Sequence, residues 1–200
     1  NTTIAKSSPV AIASGISFTT VTAGMETNAA IASNGALYTW GYNGFGAIGD
    51  NTITTKSVPT PIGTSSWLAI ASMQTQADAM IGIVANGALF TWGGGLNGQL
   101  GSGLTTNRSS PVQISSSSWS KIGSGLSVAY GVTTDKRLFA WGYGVFGALG
   151  DGTTISKSSP IQVGLGYNWR NIYGYGAADT VDGKLFLWGD TTNGRLGDNS

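Results

Sequence analysis

The dipeptide Trp-Gly occurs four times, at Trp40-Gly41, Trp92-Gly93, Trp141-Gly142 and Trp188-Gly189, with spacings of 52, 49 and 47 residues. A period of that size marks a repeat array, in which each unit is too small to bury its own apolar face and stacks on the next. Two further positions keep step. A proline recurs at Pro9, Pro59, Pro111 and Pro160, and a second aromatic at Phe18, Trp67, Trp119 and Trp169. All seven Trp residues fall on two register positions, with Phe18 in the eighth slot. The units begin at Lys6-Ser7-Ser8-Pro9, Lys56-Ser57-Val58-Pro59, Arg108-Ser109-Ser110-Pro111 and Lys157-Ser158-Ser159-Pro160, which divides the chain into approximately 6–55, 56–107, 108–156 and 157–200. From each measurable Trp-Gly tryptophan to the next basic residue is 16 residues, whereas the two aromatic positions are 22, 25, 22 and 19 apart. Length variation is therefore expected in loops on one side of the assembly.

Within a unit the pattern is of short strands and turns, with no helical period. In the first, Pro9-Val10-Ala11-Ile12 reads as an opening strand, Phe18 to Ala23 as a second, Ala29 to Ala32 as a third and Leu37-Tyr38-Thr39-Trp40 as a fourth. Asn34-Gly35, Asn86-Gly87, Asp135-Lys136 and Asp182-Gly183 read as tight hairpin turns. Asp-Lys is the weakest of these, because Lys takes positive φ less readily than Gly. The fourth strand recurs as Leu89-Phe90-Thr91-Trp92, Leu138-Phe139-Ala140-Trp141 and Leu185-Phe186-Leu187-Trp188. Alternation puts Leu37 and Thr39 on one face and Tyr38 and Trp40 on the other. Both faces are largely apolar, so the strand is expected to be covered on both sides. Stacked four-stranded sheets of about 50 residues provide that environment, which predicts an all-β fold of β-propeller blades.

Composition narrows the function. Lys plus Arg number 10 and Asp plus Glu 9, so the net charge is +1 and no polybasic patch exists for phosphate-driven nucleic-acid binding. No apolar run approaches the ~18 residues of a membrane-spanning helix. The chain has no Cys and no His, which removes thiolate chemistry and the commonest metal ligand and general base. Glu26 is the sole Glu, and the Asp residues sit mostly in turns, so no active site, cofactor or metal is expected. A calcium loop is poorly matched by Asp190 to Asp198, which lacks the needed spacing.

The sequence begins with Asn1, shows no signal peptide, and reads as a processed chain or an excerpt of a longer one. Lys6, Lys56, Arg108 and Lys157 hold one register position, and Asp50, Asp151 and Asp198, with Ser102 in the second unit, hold another. Ion pairs within or between units are the expected use of this ring, and a charged surface for an anionic glycan or partner is the alternative. Gly-x-x-Gly segments lack the following helix of a phosphate loop and read as turns. Phe18, Trp40, Trp67, Trp92, Trp119, Trp141, Trp169 and Trp188 are expected in the core. Tyr42 and Phe45 in the first unit, and Tyr143 and Phe146 in the third, lie outside the shared pattern. The corresponding residues in the second and fourth are Gly94 and Asn97, and Asp190 and Asn193. Because the framework does not demand these four aromatics, they are the candidate partner-binding residues, with cover for a blade edge as the alternative.

Leu-aromatic-x-Trp-Gly is followed by Gly46-Ala47-Ile48-Gly49, Gly98-Gln99-Leu100-Gly101, Gly147-Ala148-Leu149-Gly150 and Gly194-Arg195-Leu196-Gly197, and then by the proline. This pattern resembles the regulator of chromosome condensation repeat family over essentially the whole chain, in a form like bacterial and phage members. The resemblance implies four blades within a larger ring of about seven, with a closed four-blade ring, or closure with another copy, as the alternative. It departs from the family where a His often stands: Thr27, Gln76 and Val128 occupy those positions. The best-known member is an exchange factor for a small GTPase that inserts a β-hairpin wedge and presents a basic chromatin-facing surface, and neither is evident here.

The expected function is a non-enzymatic structural or protein-interaction module, foremost a phage virion component (tail, fibre or decoration) or another extracellular surface protein. A secreted inhibitor or adhesin acting through its loop face is the alternative, and an exchange factor the remotest. The expected partners are protein subunits, a surface receptor or a glycan, with self-association left open.

Overall fold

The computed structural model describes residues 5–75, 78–192 and 196. Gln76, Asn193, Gly194, Arg195, Gly197 and Asp198, invoked above, lie outside the described residues.

The chain folds as four antiparallel meanders. The first sheet is β1 (Phe18–Ala23), β2 (Thr27–Ala32), β3 (Leu37–Gly41) and β4 (Lys56–Pro61). The second is β5 (Trp67–Met73), β6 (Ala79–Val84), β7 (Leu89–Gly93) and β8 (Arg108–Gln113). The third is β9 (Trp119–Ser124), β10 (Val128–Thr133), β11 (Leu138–Gly142) and β12 (Lys157–Val163). The fourth has three strands among the described residues: β13 (Trp169–Gly174), β14 (Ala177–Thr180) and β15 (Leu185–Leu187). β1, β5, β9 and β13 pack successively against one another, so the first strand of each sheet lies innermost, as in a propeller.

Three expectations change. Pro9 to Ile12 is not a strand and is largely exposed, because among the described residues no Leu-aromatic-x-Trp strand precedes it to pair with. The basic-Ser-x-Pro segments do form strands, but each closes the preceding sheet, as Tyr38↔Pro61 and Gly41↔Lys56 show in the first. The sheets are thus offset from the sequence units by one strand. The third strand of the first unit begins two residues early, at Thr27.

The hairpins form where the turn residues stand. Gly35 and Gly87 have φ of 82° and 83°, and the side chains of Asn34 and Asn86 accept the amides of Ala36 and Ala88. Lys136 adopts φ 68° despite its side chain. Its carbonyl accepts the Trp169 amide, and Arg137 pairs with Asp135 at 2.7 Å across the same turn.

Three apolar layers lie between consecutive sheets. Leu37, Leu89 and Leu138 are at most 1% exposed, because the following sheet covers them. In the second, third and fourth sheets the other face of the Leu-aromatic-x-Trp strand turns its indole toward the preceding sheet. Trp67, Trp92, Trp119, Trp141 and Trp169 are buried. Phe18, Trp40 and Trp188 are half-buried, on sheets that have a described neighbour on one side. Leu185, equivalent to the three buried leucines, is 66% exposed on the uncovered face of the fourth sheet.

Candidate functional site

Each seam between sheets carries the same clamp. Trp92, Trp141 and Trp188 donate their indole Nε1–H to the carbonyls of Ala47, Gln99 and Ala148, at 2.9, 3.0 and 3.1 Å. The acceptor is the second residue of Gly-x-Leu/Ile-Gly, so the motif is the socket for the next sheet's indole. Its last glycine leaves room: a Cβ on Gly49, Gly101 or Gly150 would come within 2.6–2.9 Å of that Nε1. The Ile48 and Leu100 carbonyls accept Thr39 and Thr91 hydroxyls from the sheet's own third strand, which fixes the socket to its blade.

The turns joining first to second strands, and the long loops joining third to fourth, lie at one end of the stack. The length variation seen in sequence falls between those strands, where Ala23 to Thr27, Met73 to Ala79, Ser124 to Val128 and Gly174 to Ala177 are the bounding residues. Here the three seams differ. At the first, buried Asp78 reaches across to accept the amides of Met25, Glu26 and Thr27 at 3.0, 2.8 and 2.7 Å. The longest turn supplies this carboxylate. No motif marks it; the surplus length of the second unit is its only trace in the sequence. At the second seam, Asn97 Nδ2 donates to Ser127 Oγ at 3.3 Å, and Gln99 Oε1 accepts the Asn97 amide at 2.8 Å.

The third seam opens into a cavity of about 450 Å³, walled by Leu126, Tyr130, Tyr143, Phe146, Tyr175 and Trp188 among others. Tyr143 and Phe146 are 43% and 69% exposed, and Leu126 and Tyr175 are both 61% exposed. Phe146 takes φ 58°, which turns its ring out of the loop. Tyr130 donates its hydroxyl to the Ala148 carbonyl at 2.5 Å, and burial pushes its phenol far above the usual value. The phenol is therefore a fixed neutral donor in the wall.

The four candidate aromatics thus divide. Tyr143 and Phe146 border the cavity. Tyr42 and Phe45 pack edge-to-face at 6.1 Å, and the Tyr42 ring folds over Gly44, where a Cβ would sit 2.1 Å from its hydroxyl. Phe45 is half-buried. The structure does not bring the two pairs together.

The charged register also divides. Lys56 pairs with Asp50 at 3.0 Å and Lys157 with Asp151 at 3.7 Å, each within its own loop. Burial pushes both carboxyls up, but the hydrogen bonds from Thr52 and Thr153 and the neighbouring lysines outweigh it and hold them below the usual range. None of the ion pairs among the described residues includes Arg108. No three acidic, His or Cys side chains converge among the described residues, and no helix is long and apolar enough to cross a membrane.

The model of the regulator of chromosome condensation (RCC1) repeat matches residues 34–72, 86–130 and 135–171. Each match starts at a hairpin turn and reaches the next sheet's first strand, the second match running on into β10, so the repeat straddles a seam. An RCC1 domain-containing protein of Arabidopsis thaliana, RUG3, mitochondrial, is 28% identical over 107 residues, 53% of this chain and 24% of that protein. The probable E3 ubiquitin-protein ligase HERC4 of Homo sapiens is 30% identical over 100 residues, 50% of this chain and 10% of its own length. The ultraviolet-B receptor UVR8 of Arabidopsis thaliana is 33% identical over 89 residues, 44% and 20% respectively. Among solved structures, human WBSCR16 superposes with a TM-score of 0.74 at 22% identity, over 90% of this chain and 49% of that one. Prp20p of Saccharomyces cerevisiae, whose binding to Gsp1p and histones has been described, gives 0.68 at 16% identity, over 78% and 42%. The chain spans about a quarter or less of these curated relatives and about half of the solved propellers. With three of its repeats matching the family model and its sheets superposing on RCC1-type propellers, this chain belongs to the regulator of chromosome condensation (RCC1) repeat family.

Proposed function

We propose that this chain is a non-enzymatic interaction module whose long-loop end docks a protein partner at the mouth of the third seam. The observation that carries the reading is the exposure of Leu126, Tyr143, Phe146 and Tyr175 around one cavity. Exposed apolar side chains gathered about a concavity mark interaction sites, and Tyr is among the residue types that dominate binding energy. The Prp20p relative, described as binding Gsp1p and histones, supports a protein partner by analogy. A secreted inhibitor or adhesin would use the same end and differ in what it holds.

The finer reading places the module in a phage virion or another extracellular surface. It rests on composition: charged residues are 10% of the chain against a usual ~25%, and Gly is 32 of 200. Fractionation tests this, because native particles or culture supernatant should contain the chain and cytosol should not.

The docking reading is tested with a photo-crosslinking residue at Phe146, or at Asn86 on the opposite end, in extract from the source. Adducts should form from Phe146 and be lost in a Tyr143→Ala/Tyr175→Ala background that still melts at the parent temperature. Equal adducts from Asn86, or adducts indifferent to the alanines, would remove the reading.

A further inference from the structure

One segment of the chain is a strand without a sheet, and one sheet lacks the strand that this segment matches. Lys6-Ser7-Ser8-Pro9-Val10-Ala11-Ile12 shares its first four residues, and the aliphatic pair that follows, with Lys157-Ser158-Ser159-Pro160-Ile161-Gln162-Val163 of β12. β12 closes the third sheet through Leu138↔Val163, Phe139↔Gln162, Ala140↔Ile161 and Gly142↔Lys157. Lys6 to Ile12 forms no strand. Ile12 is 53% exposed, whereas its counterparts Ile62 and Val163 are buried. In the fourth sheet, β15 pairs with β14 alone among the described residues, and its outer edge is open. Leu185 and Leu187 are exposed there, where Leu138 and Ala140 of the third sheet are buried.

The chain also leaves this segment as it leaves β12. From Lys6 to Phe18 is 12 residues, as it is from Lys157 to Trp169. Ala13 takes φ 50°, and Gly164, at the same register, takes φ 58°. Positive φ is unfavourable for a residue with a Cβ, and Ala13 adopts it at the turn that follows a closing strand. β12 belongs to the sheet packed before β13. By the same rule Lys6 to Ile12 belongs to a sheet seated on the outer face of the first sheet, where Phe18 and Trp40 are half-buried. The chain's own fourth sheet does not stand there: the four sheets match 49% of the human WBSCR16 chain, so the first and fourth lie at the two ends of about half a ring.

We propose that two copies of this chain associate head to tail through those ends, with Lys6–Ile12 of each copy closing the fourth sheet of the other as its outer strand. The contact repeats the seam that the chain already builds three times. One end carries the aromatic face and the strand; the other carries the aliphatic face and the open edge. Backbone hydrogen bonds along an open edge give affinity, and alternate side chains fix the register. The pairing of β11 with β12 sets that register: Ile12 opposite Leu185, Ala11 opposite Phe186, Val10 opposite Leu187 and Lys6 opposite Gly189. A head-to-tail contact ends in a ring when its rotation closes, and two half rings complete one turn. The association is independent of partner docking at the third seam.

Sedimentation equilibrium should give the mass of two chains, and Ile12→Asp the mass of one. Ile12 is exposed in the single chain, so this substitution leaves its fold intact. The chain has no Cys, so single cysteines report the register. Ile12→Cys chains mixed with Leu185→Cys chains should be joined by a short bismaleimide about tenfold faster than with Leu68→Cys chains, because pairing raises the local concentration of the two thiols. Leu68 is an exposed residue of the second sheet. A one-chain mass at every concentration, or equal rates for the Leu185→Cys and Leu68→Cys mixtures, overturns the proposal. So does a link between Ile12→Cys and Leu185→Cys placed in one chain that persists undiminished on dilution, because the strand would then close its own fourth sheet.

Discussion

The second and third seams use one clamp and end differently. In both, an indole from the later sheet donates to the socket carbonyl of the earlier one, at nearly the same distance. Yet Trp141 is 0% exposed and Trp188 is half-exposed. What changes is the cover. Asn97, Gln99 and Ser127 lock the mouth of the second seam with side-chain hydrogen bonds. At the register of Asn97 and Gln99 the third seam has Phe146 and Ala148, which cannot make them, and its turn is cut to Tyr175-Gly176. The clamp therefore sets the pitch between blades, and the loops decide whether a seam is sealed or open. The first seam makes the same point with Asp78 as its seal.

The comparison breaks first at the indoles. Trp141→Ala should destabilise the chain by about 3–5 kcal/mol, the usual cost of emptying a fully buried Trp site. Trp188→Ala should cost clearly less, because its ring is half-solvated and its removal extends an existing cavity. Urea denaturation of both variants checks this; equal losses would mean that exposure does not distinguish the seams. Asp78→Ala comes next, at about 2–3 kcal/mol, because amides at the first seam are left without an acceptor. Hydrogen exchange at Met25, Glu26 and Thr27 should accelerate in step. Asn97→Ala should be milder, about 0.5–1.5 kcal/mol for one neutral hydrogen bond from an exposed side chain to the Ser127 hydroxyl, and should loosen the Ser127 turn without touching Trp141.

The same contrast separates what could be read in the sequence from what could not. The Trp and Gly registers were legible because each indole needs a socket and each socket glycine faces an indole, so neither varies freely. Phase was not. A periodic sequence cut anywhere has the same period, and only the pairing of Lys56–Pro61 with β3 shows which sheet owns that strand. Asp78 was hidden because its partners are backbone amides more than 50 residues away, which carry no side-chain signature. Tyr143 and Phe146 stood out as departures from the shared pattern. Tyr42 and Phe45, at the same register, stood out equally. What divides the pairs is local: Tyr42 closes over Gly44 and onto Phe45, whereas Phe146 turns outward at positive φ.

The smallest effect is also the sharpest comparison of blades, because it turns on one register position. Asp50 and Asp151 titrate below the usual carboxylate range, held there against burial by threonine hydrogen bonds and lysine charge. A carboxyl whose value is lowered on folding stabilises the folded state above its unfolded value and loses that contribution as pH falls through the folded one. The loss therefore lies below about pH 4, where the unfolded carboxyl also titrates. Each such partly exposed pair contributes on the order of 0–1 kcal/mol, and less in high salt. Carboxyl carbon NMR should place both midpoints below the ordinary Asp value, and added salt should move them toward it. Acidification should disturb the resonances of Thr52 and Thr153, whose amides bond those carboxylates, in step with the two midpoints. Leu104, following Ser102 in the second blade, should not respond at those midpoints. A matching acid transition at Leu104 would mean that the whole loop end loosens together and that the aspartates do not hold their loops individually.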